Sequence, residues 1–238
     1  MATVGLCAGC APKADKVIAL SFDDGPNTTT TVKMLDMLEK HDVVGSFFVI
    51  GNNINDESAE IMKRAYKMGC DIENHSRTYT AMASLSGGQI QEEIKYTSDL
   101  IEKYIGKRPE FFRPPYISVA PHMYDNIDLT FICGQGCNDW EATTTVEQRA
   151  EMVINNAADG QIVLLHDFVG NEATVEALDI IIPELKKQGY RFVTVPELFK
   201  LKKITPDHSK MYTNVLHRWH LTLPHREWRG EHPRILAQ

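Results

Sequence analysis

The sequence predicts an α/β fold built on a parallel sheet, and three observations predict it. Short apolar runs alternate with longer stretches whose apolar residues recur at helical spacing. Gly, Pro or Asn punctuates the junctions. Five apolar runs end in residues that do chemistry: Ser21-Phe22-Asp23-Asp24-Gly25-Pro26, Asn74-His75-Ser76, Arg113-Pro114-Pro115-Tyr116, Asp139-Trp140 and Leu164-Leu165-His166-Asp167. Strand–helix alternation implies right-handed crossovers and parallel strands. A parallel sheet brings all its carboxyl ends to one edge, where such folds build their active sites. Periodicity alone leaves open whether the sheet closes into a small irregular barrel.

The elements follow in order. Val17 to Phe22 is a buried strand stopped by Asp-Asp-Gly-Pro. Thr30 to Lys40 is a helix with Val32, Leu35 and Leu38 on one stripe. Gly45 to Ile50 is the second strand. Asp56 to Met68 is a helix that faces inward with Ile61, Ala65 and Met68 and stops at Gly69. Cys70 to Asn74 is the third strand. Ser86-Gly87-Gly88-Gln89 is a capping box that opens a long helix, lined by Ile90, Ile94, Ile101 and Ile105 and ended by Gly106. Glu110 to Phe112 is a short strand halted by two prolines, and Leu129 to Cys133 is another. Val146 to Ala158 is a helix, Ile162 to Leu165 a very apolar strand, and Thr174 to Gln188 a helix broken near Pro183. Tyr190 to Val195 is the last strand, and Pro196 sits in the first turn of the last helix.

After Leu201 the pattern stops. The organisation expected is a leader over 1–14, one catalytic domain over 15–200, and an irregular basic tail over 201–238 that catalysis does not need. The tail carries seven Lys or Arg against three Asp or Glu, and five of the nine histidines. The whole chain has a formal charge of -7, which argues against a nucleic-acid partner. No apolar run approaches the roughly 18 residues a membrane helix needs. Met1 to Ala14 holds Gly and Pro and lacks a basic start, so it does not read as a signal peptide. Secretion, with the leader absent from this sequence, is the favoured location, with the cytoplasm as the alternative. The five cysteines cannot all pair within one chain, and reduced thiols are expected. Cys7-Ala8-Gly9-Cys10 lacks the βαβ context of a redox motif.

Asp23 and Asp24 are neighbours at a strand end. Adjacent side chains on a strand diverge, so one acid can hold a metal while the other accepts a proton. His75 follows a strand. Arg113 needs a carboxylate partner if it points inward. His166 emerges from the core, a natural place for a general acid or base. Together these residues suggest metal-assisted hydrolysis.

These clusters resemble the five signature motifs of the polysaccharide deacetylases, the NodB-homology domain of carbohydrate esterase family 4. The resemblance spans about residues 15–200. It implies a distorted, incomplete (β/α) barrel with parallel strands. It also implies Asp23 as catalytic base, Asp24 and His75 as metal ligands, and Arg113 as the group that orients the base. The Tyr116 backbone N–H is implied as oxyanion donor and His166 as general acid. Trp140, Leu164 and Pro115 are implied to contact substrate, and the cofactor to be a divalent metal, Co²⁺ or Zn²⁺. Three positions depart from the family pattern. Tyr79 stands where a second metal-binding histidine is usual, and Ile117 stands where a glycine commonly follows the tyrosine. Counting back from Trp140 puts Gly136 where an aspartate usually tunes the acid histidine. The stretch Gly134 to Trp140 is similar to that of acetylxylan esterases.

The favoured reading is a monomeric, metal-dependent deacetylase that removes O-acetyl groups from xylan. An acid left untuned by Gly136 would suit an ester, whose leaving group is better than an amide's. The alternatives are N-deacetylation of chitooligosaccharide or peptidoglycan, and a non-catalytic glycan-binding domain.

Overall fold

The computed structural model describes residues 16–216. The expectations for the leader, with Cys7 and Cys10, and for residues beyond 216 lie outside the described residues. The chain runs β1 (Lys16–Asp23), α1 (Thr30–Lys40), β2 (Ser46–Val49), α2 (Asp56–Lys67), β3 (Asp71–Asn74), α3 (Gly87–Ile105), β4 (Phe111–Phe112), α4 (Pro121–Tyr124) and β5 (Thr130–Ile132). It continues through β6 (Gln135–Gly136), α5 (Val146–Asn155), β7 (Gln161–His166), α6 (Glu172–Lys187), β8 (Tyr190–Phe192), α7 (Val195–Lys202) and β9 (Met211–Tyr212). One curled sheet holds all nine strands in the order β6-β7-β1-β2-β3-β4-β5-β9, with β8 beside the start of β1. Every named pairing is parallel. This is the distorted, incomplete (β/α) barrel with surrounding helices that the motifs implied.

Strand alternation explains where the site sits. On β1, Ile18, Leu20 and Phe22 pack outward with Met34, Leu35 and Leu38 of α1 and Ile181 and Leu185 of α6. Val17 and Ala19 face the other way, into a cluster with Phe48, Phe111, Ile162, Leu198 and Phe199. Ser21 and Asp23 continue that inner row and are buried. The barrel interior is therefore apolar toward its base and polar toward its mouth. Parallel register sets Asp23 opposite Phe48 on β2 and opposite His166 on β7, so the strand ends finish level.

Local signals account for most boundaries. Asn55 and Ser58 form a capping box at the start of α2, and Ser86 and Gln89 form the one expected at α3. Gly106 ends α3 at φ 75°, a conformation in which glycine alone escapes a Cβ penalty. The inner face of α2 is rotated from expectation: Ala59, Met62 and Ala65 are buried, and Ile61 is only half-buried.

Two expectations are corrected. Helix α6 runs unbroken through Pro183. The carbonyl that a proline leaves without its helical donor is that of Asp179, which lies on the exposed face within reach of water. The ordered chain also continues past Leu201. Strand β9 pairs with β5, and the residues after it reach β7, with Ile162 N–H donating to the Thr213 carbonyl at 3.1 Å. A bridge joins Gln161 to Asn214. This segment spans the gap between β5 and β7 at the base of the barrel. Met211, Tyr212 and Val215 are buried there. At roughly 1.5–3 kcal/mol each, their burial is comparable to the whole stability of a domain, about 5–15 kcal/mol. Residues 203–216 are thus part of the folded domain, which Met211, Tyr212 and Val215 anchor to its core. Cys70, Cys133 and Cys137 are free thiols, as expected. No helix among the described residues is long and apolar enough to cross a membrane.

Candidate active site

Asp23 ends β1 and is 2% exposed. Its Oδ1 accepts from Arg113 Nη1 at 2.5 Å. Arg113 follows β4 and is fully buried, with its guanidinium 4.2 Å from the Phe48 ring centroid. Its Nη2 donates to Ser21 Oγ at 2.8 Å, and Ser21 Oγ donates to the Val163 carbonyl at 2.6 Å. Serine, one pleat below the aspartate on the inner face, thereby anchors the guanidinium to β7. A charge-assisted pair in so dry a place is short and directional. Its geometry leaves Asp23 Oδ2 free to point at the mouth.

Asp24 does not diverge from Asp23 as an ordinary strand neighbour would. It sits at φ 79°, in the left-handed region, and this bend swings its carboxylate back over the site. His75 Nε2 lies 3.4 Å from Asp24 Oδ1 and 3.6 Å from Asp23 Oδ2. The other ring nitrogen, Nδ1, is 2.6 Å from the Arg113 carbonyl, which can only accept. The proton therefore sits on Nδ1, and Nε2 faces the two acids. That is the tautomer a metal-binding histidine adopts. Burial would lower the His75 pKa, but the charge of Asp23 and the bond to Asp24 outweigh it and raise it. Burial would raise Asp24, yet the bond to His75 and the histidine charges draw it down.

His166 ends β7. Its Nδ1 is 2.8 Å from Asp139 Oδ1, and its backbone N–H donates to Asp139 Oδ2 at 2.8 Å. Asp139 is fully buried, and its Oδ2 also accepts from Thr174 Oγ1 at 3.0 Å and Asn171 Nδ2 at 3.3 Å. Burial presses the His166 pKa down. The charge and hydrogen bond of Asp139, with Asp23 and Asp24 beyond, overcome this and carry it up to about 9. The expectation that Gly136 leaves His166 untuned is corrected here. The tuning carboxylate is Asp139, directly before Trp140. Gly136 lies under the indole instead, where a Cβ would sit 3.5 Å from the Trp140 ring.

The remaining expected residues take these places. Tyr116 is 72% exposed, and no acceptor among the described residues bonds its backbone N–H. Tyr116 and Ile117 both have left-handed backbones, at φ 60° and 52°. Trp140 is 45% exposed and meets His166 edge-on, with ring centroids 5.6 Å apart. Leu164 and Pro115 are buried beside the rim. Tyr79 is exposed, and its hydroxyl lies 3.0 Å from Asn53 Nδ2 and 3.3 Å from the Asp24 carbonyl.

Sequence reasoning passed over Asp167, Asn171, Thr174 and Arg149. Asp167 is buried and locks the loop after β1. Its Oδ2 accepts from Thr31 Oγ1 at 2.5 Å, its carbonyl accepts from Asn27 Nδ2 at 2.7 Å, and its N–H donates to the Asp23 carbonyl at 2.9 Å. A Cβ on Gly25 would collide with its carboxylate, so glycine is required there. Burial, with the charges of Asp24 and Asp23, lifts Asp167 to about 7. Its place directly after His166 was the available signal.

The arrangement offers a carboxylate paired with and aimed by an arginine, and a histidine held protonated by a second acid. Between them lies a two-ligand cradle, Asp24 and His75. Among the described residues no group of three or more His, Cys, Asp or Glu side chains gathers to hold a metal ion. The donor set, a carboxylate and an imidazole with its Nδ1 proton tied off, nonetheless fits a divalent ion that keeps several waters.

Comparison with known proteins identifies the family. A polysaccharide deacetylase family model matches residues 11–128. A bifunctional xylanase/deacetylase from Pseudobutyrivibrio xylanivorans is 49% identical over 209 residues, covering 87% of this chain and 35% of that protein. The chain thus spans about a third of that relative's length. A peptidoglycan-N-acetylglucosamine deacetylase from Bacillus cereus is 38% identical over 201 residues, covering 80% of this chain and 92% of that one. Among solved structures, a family 4 acetyl xylan esterase from Clostridium thermocellum in complex with a cobalt ion superposes with a TM-score of 0.83 at 47% identity. That match covers 85% of this chain and all of the other. The chain belongs to the polysaccharide deacetylase family of carbohydrate-active hydrolases.

Proposed function

We propose that this chain is a metal-dependent deacetylase that removes O-acetyl groups from xylan. The observation that carries the chemistry is the pairing of an Arg113-aimed Asp23 with an Asp139-held His166 across the Asp24–His75 cradle. The xylan reading is supported by the 47–49% identity to the acetyl xylan esterase and the xylanase/deacetylase.

Asp24 and His75 would hold a divalent ion, Co²⁺ or Zn²⁺, with water completing its shell. Such an ion lowers the pKa of bound water and polarises an acetyl carbonyl. Asp23 takes the proton of the water that attacks the acetyl carbon, and Arg113 keeps the carboxylate ionised and aimed. The Tyr116 N–H donates to the carbonyl oxygen as negative charge gathers there, an interaction worth about 3–4 kcal/mol when such a donor is removed. As the bond from acetyl carbon to sugar oxygen breaks, His166 Nε2 gives its proton to that oxygen and Asp139 receives the Nδ1–H throughout. Acetate and the free sugar hydroxyl leave. Trp140, with Leu164 and Pro115 behind the rim, presents an apolar wall to the acetyl group.

The argument that an untuned acid favours an ester no longer applies, because Asp139 tunes His166. That same feature favours a second reading, N-deacetylation of chitooligosaccharide or peptidoglycan, since an amine departs only once it is protonated and Asp139 keeps His166 charged to do so. Acetate release from acetylated xylan, chitooligosaccharide and peptidoglycan, each with and without chelator, separates the readings. Release from xylan that chelator abolishes and Co²⁺ or Zn²⁺ restores supports the esterase. Release from the amide substrates alone replaces it with the second reading. Release from none returns the chain to a glycan-binding role.

A further inference from the structure

Arg149, on α5, is 3% exposed and carries five N–H donors and no acceptor. A buried guanidinium is costly unless every donor is met. Two of its bonds go to backbone: Nε to the Thr144 carbonyl at 2.9 Å and Nη2 to the Glu141 carbonyl at 3.3 Å. The other two, both from Nη1, go to Asn171 Oδ1 at 2.5 Å and Thr174 Oγ1 at 2.8 Å. Each of these side chains has its other end on Asp139 Oδ2.

An arginine only donates, and this sets the direction of everything in front of it. The Thr174 oxygen accepts from Arg149, so its single proton turns to Asp139. The Asn171 carbonyl oxygen faces Arg149, so its amide nitrogen faces Asp139 and the His166 carbonyl, the latter at 2.9 Å. The reverse placement would set N–H against N–H. Asp139 Oδ2 thus receives only donors, and Oδ1 is left for His166 Nδ1 at 2.8 Å. Asp139 is held as an acceptor, and His166 is held with its Nδ1–H on Asp139 and its Nε2–H turned to substrate.

We propose that Arg149 is a positioning residue for the catalytic acid: through Asn171 and Thr174 it fixes Asp139, and through Asp139 the ring of His166. The proposal rests on the reading of His166 as the acid. The groups that face His166 are the carboxylates of Asp139, Asp23 and Asp24 and the rings of Trp140 and Phe168. Arg149 stands behind Asp139 and draws charge from it. Without Arg149, Asp139 is less firmly held and pulls harder on the His166 proton.

The test uses the full chain with Arg149→Met, and with Thr174→Val and Thr174→Ser, which leave the arginine in place. Turnover and KM on acetylated xylan are measured against pH. The His166 ring is titrated by ¹⁵N NMR, its signals identified by their loss in His166→Gln. Arg149→Met should lower kcat about 10-fold or more, part of the roughly 10²–10⁴-fold that a positioned general acid contributes, with KM within about twofold. Both the alkaline limb and the His166 midpoint should move to higher pH. Thr174→Val should do the same to a smaller degree, and Thr174→Ser should restore the native values. If Arg149→Met does not fold, the threonine pair decides. An unchanged or lowered His166 midpoint with unchanged kcat, in Arg149→Met or in Thr174→Val, overturns the proposal and leaves Arg149 a clip between α5 and the Glu141–Thr144 turn. Because the NMR titration needs no turnover, an inactive native chain would refute the enzymatic reading without obscuring this result.

Discussion

Two arginines lie buried behind the mouth of the barrel, and they use their charge differently. Arg113 sets Nη1 directly on Asp23 at 2.5 Å. Arg149 ends on two carbonyls and on neutral Asn171 and Thr174, one group removed from Asp139. The difference matches what each carboxylate must do. In the proposed mechanism Asp23 accepts a proton, and the guanidinium in contact aims its carboxylate. Asp139 serves a histidine that, in the proposed mechanism, must itself be charged before it acts. A guanidinium about 4 Å from the imidazolium would oppose it by about 4 kcal/mol at an effective dielectric of 20, or about 3 pKa units. That would erase the rise from 6.5 to about 9 that His166 shows. Placed behind neutral relays, the cation can order Asp139 without discharging the acid.

Asp23→Asn tests the direct pair at its chemical end. It should reduce kcat by about 10²–10⁴-fold, the usual contribution of a general base, while calorimetry still detects metal binding through Asp24 and His75. Loss of metal from this variant, with metal retained in Asp24→Asn, would exchange the two roles. Arg113→Ala tests the same pair as structure. Leaving Asp23 buried and unpaired should cost about 3–5 kcal/mol in denaturant unfolding. A cost near zero would mean that water reaches the pair.

Asp139→Asn tests the relayed side. The His166 pKa is raised in the folded chain, so its imidazolium, and the stability it brings, are present below 6.5 and are lost as pH rises through about 9. With Asp139 neutral, the alkaline limb of kcat should move down toward 6.5. kcat should fall about 10–100-fold at neutral pH, part of the roughly 10²–10⁴-fold contribution of a general acid, and the decline in melting temperature between pH 6.5 and 9 should flatten. An unmoved limb would assign the acid role to another group.

The smallest effect concerns backbone. Each side of the mouth carries a non-glycine residue with positive φ, Asn138 before Asp139 and Ile117 after Tyr116. Asparagine tolerates this region. A β-branched residue does not, at roughly 1–2 kcal/mol. Ile117→Gly trades that strain against lost packing and the roughly 0.5–1 kcal/mol entropy of glycine. Its stability should therefore change by less than about 1 kcal/mol, where ordinary large-to-small changes cost about 2–5. A loss in that larger range would show Ile117 to be a packing residue held without strain.

The residues at strand ends were legible in sequence and those behind His166 were not, for a physical reason. Asp23, His75, Arg113 and His166 all lie at strand ends, and a parallel sheet aligns strand ends whatever their separation in the chain. Asp139 also sat in view, but residue counting pointed to Gly136. Only the fold shows which of the two reaches His166. Asn171, Thr174 and Arg149 lie at the edges of helices, where polar residues read as solvated faces. The left-handed turn at Asp24 left no mark beyond the Gly-Pro that follows. Strand β9 escaped notice because its two residues, Met211 and Tyr212, set no period, and the buried Val215 that follows adds none.

The edge-on contact between Trp140 and His166 has an optical consequence. Imidazolium quenches indole emission far more strongly than neutral imidazole does. At a centroid separation of 5.6 Å, Trp140 fluorescence should brighten as His166 loses its proton near pH 9. The chain thus carries its own reporter of the acid's charge. Read in stopped flow, with Trp140→Phe as the blank, that signal would time the proton's departure within a single turnover.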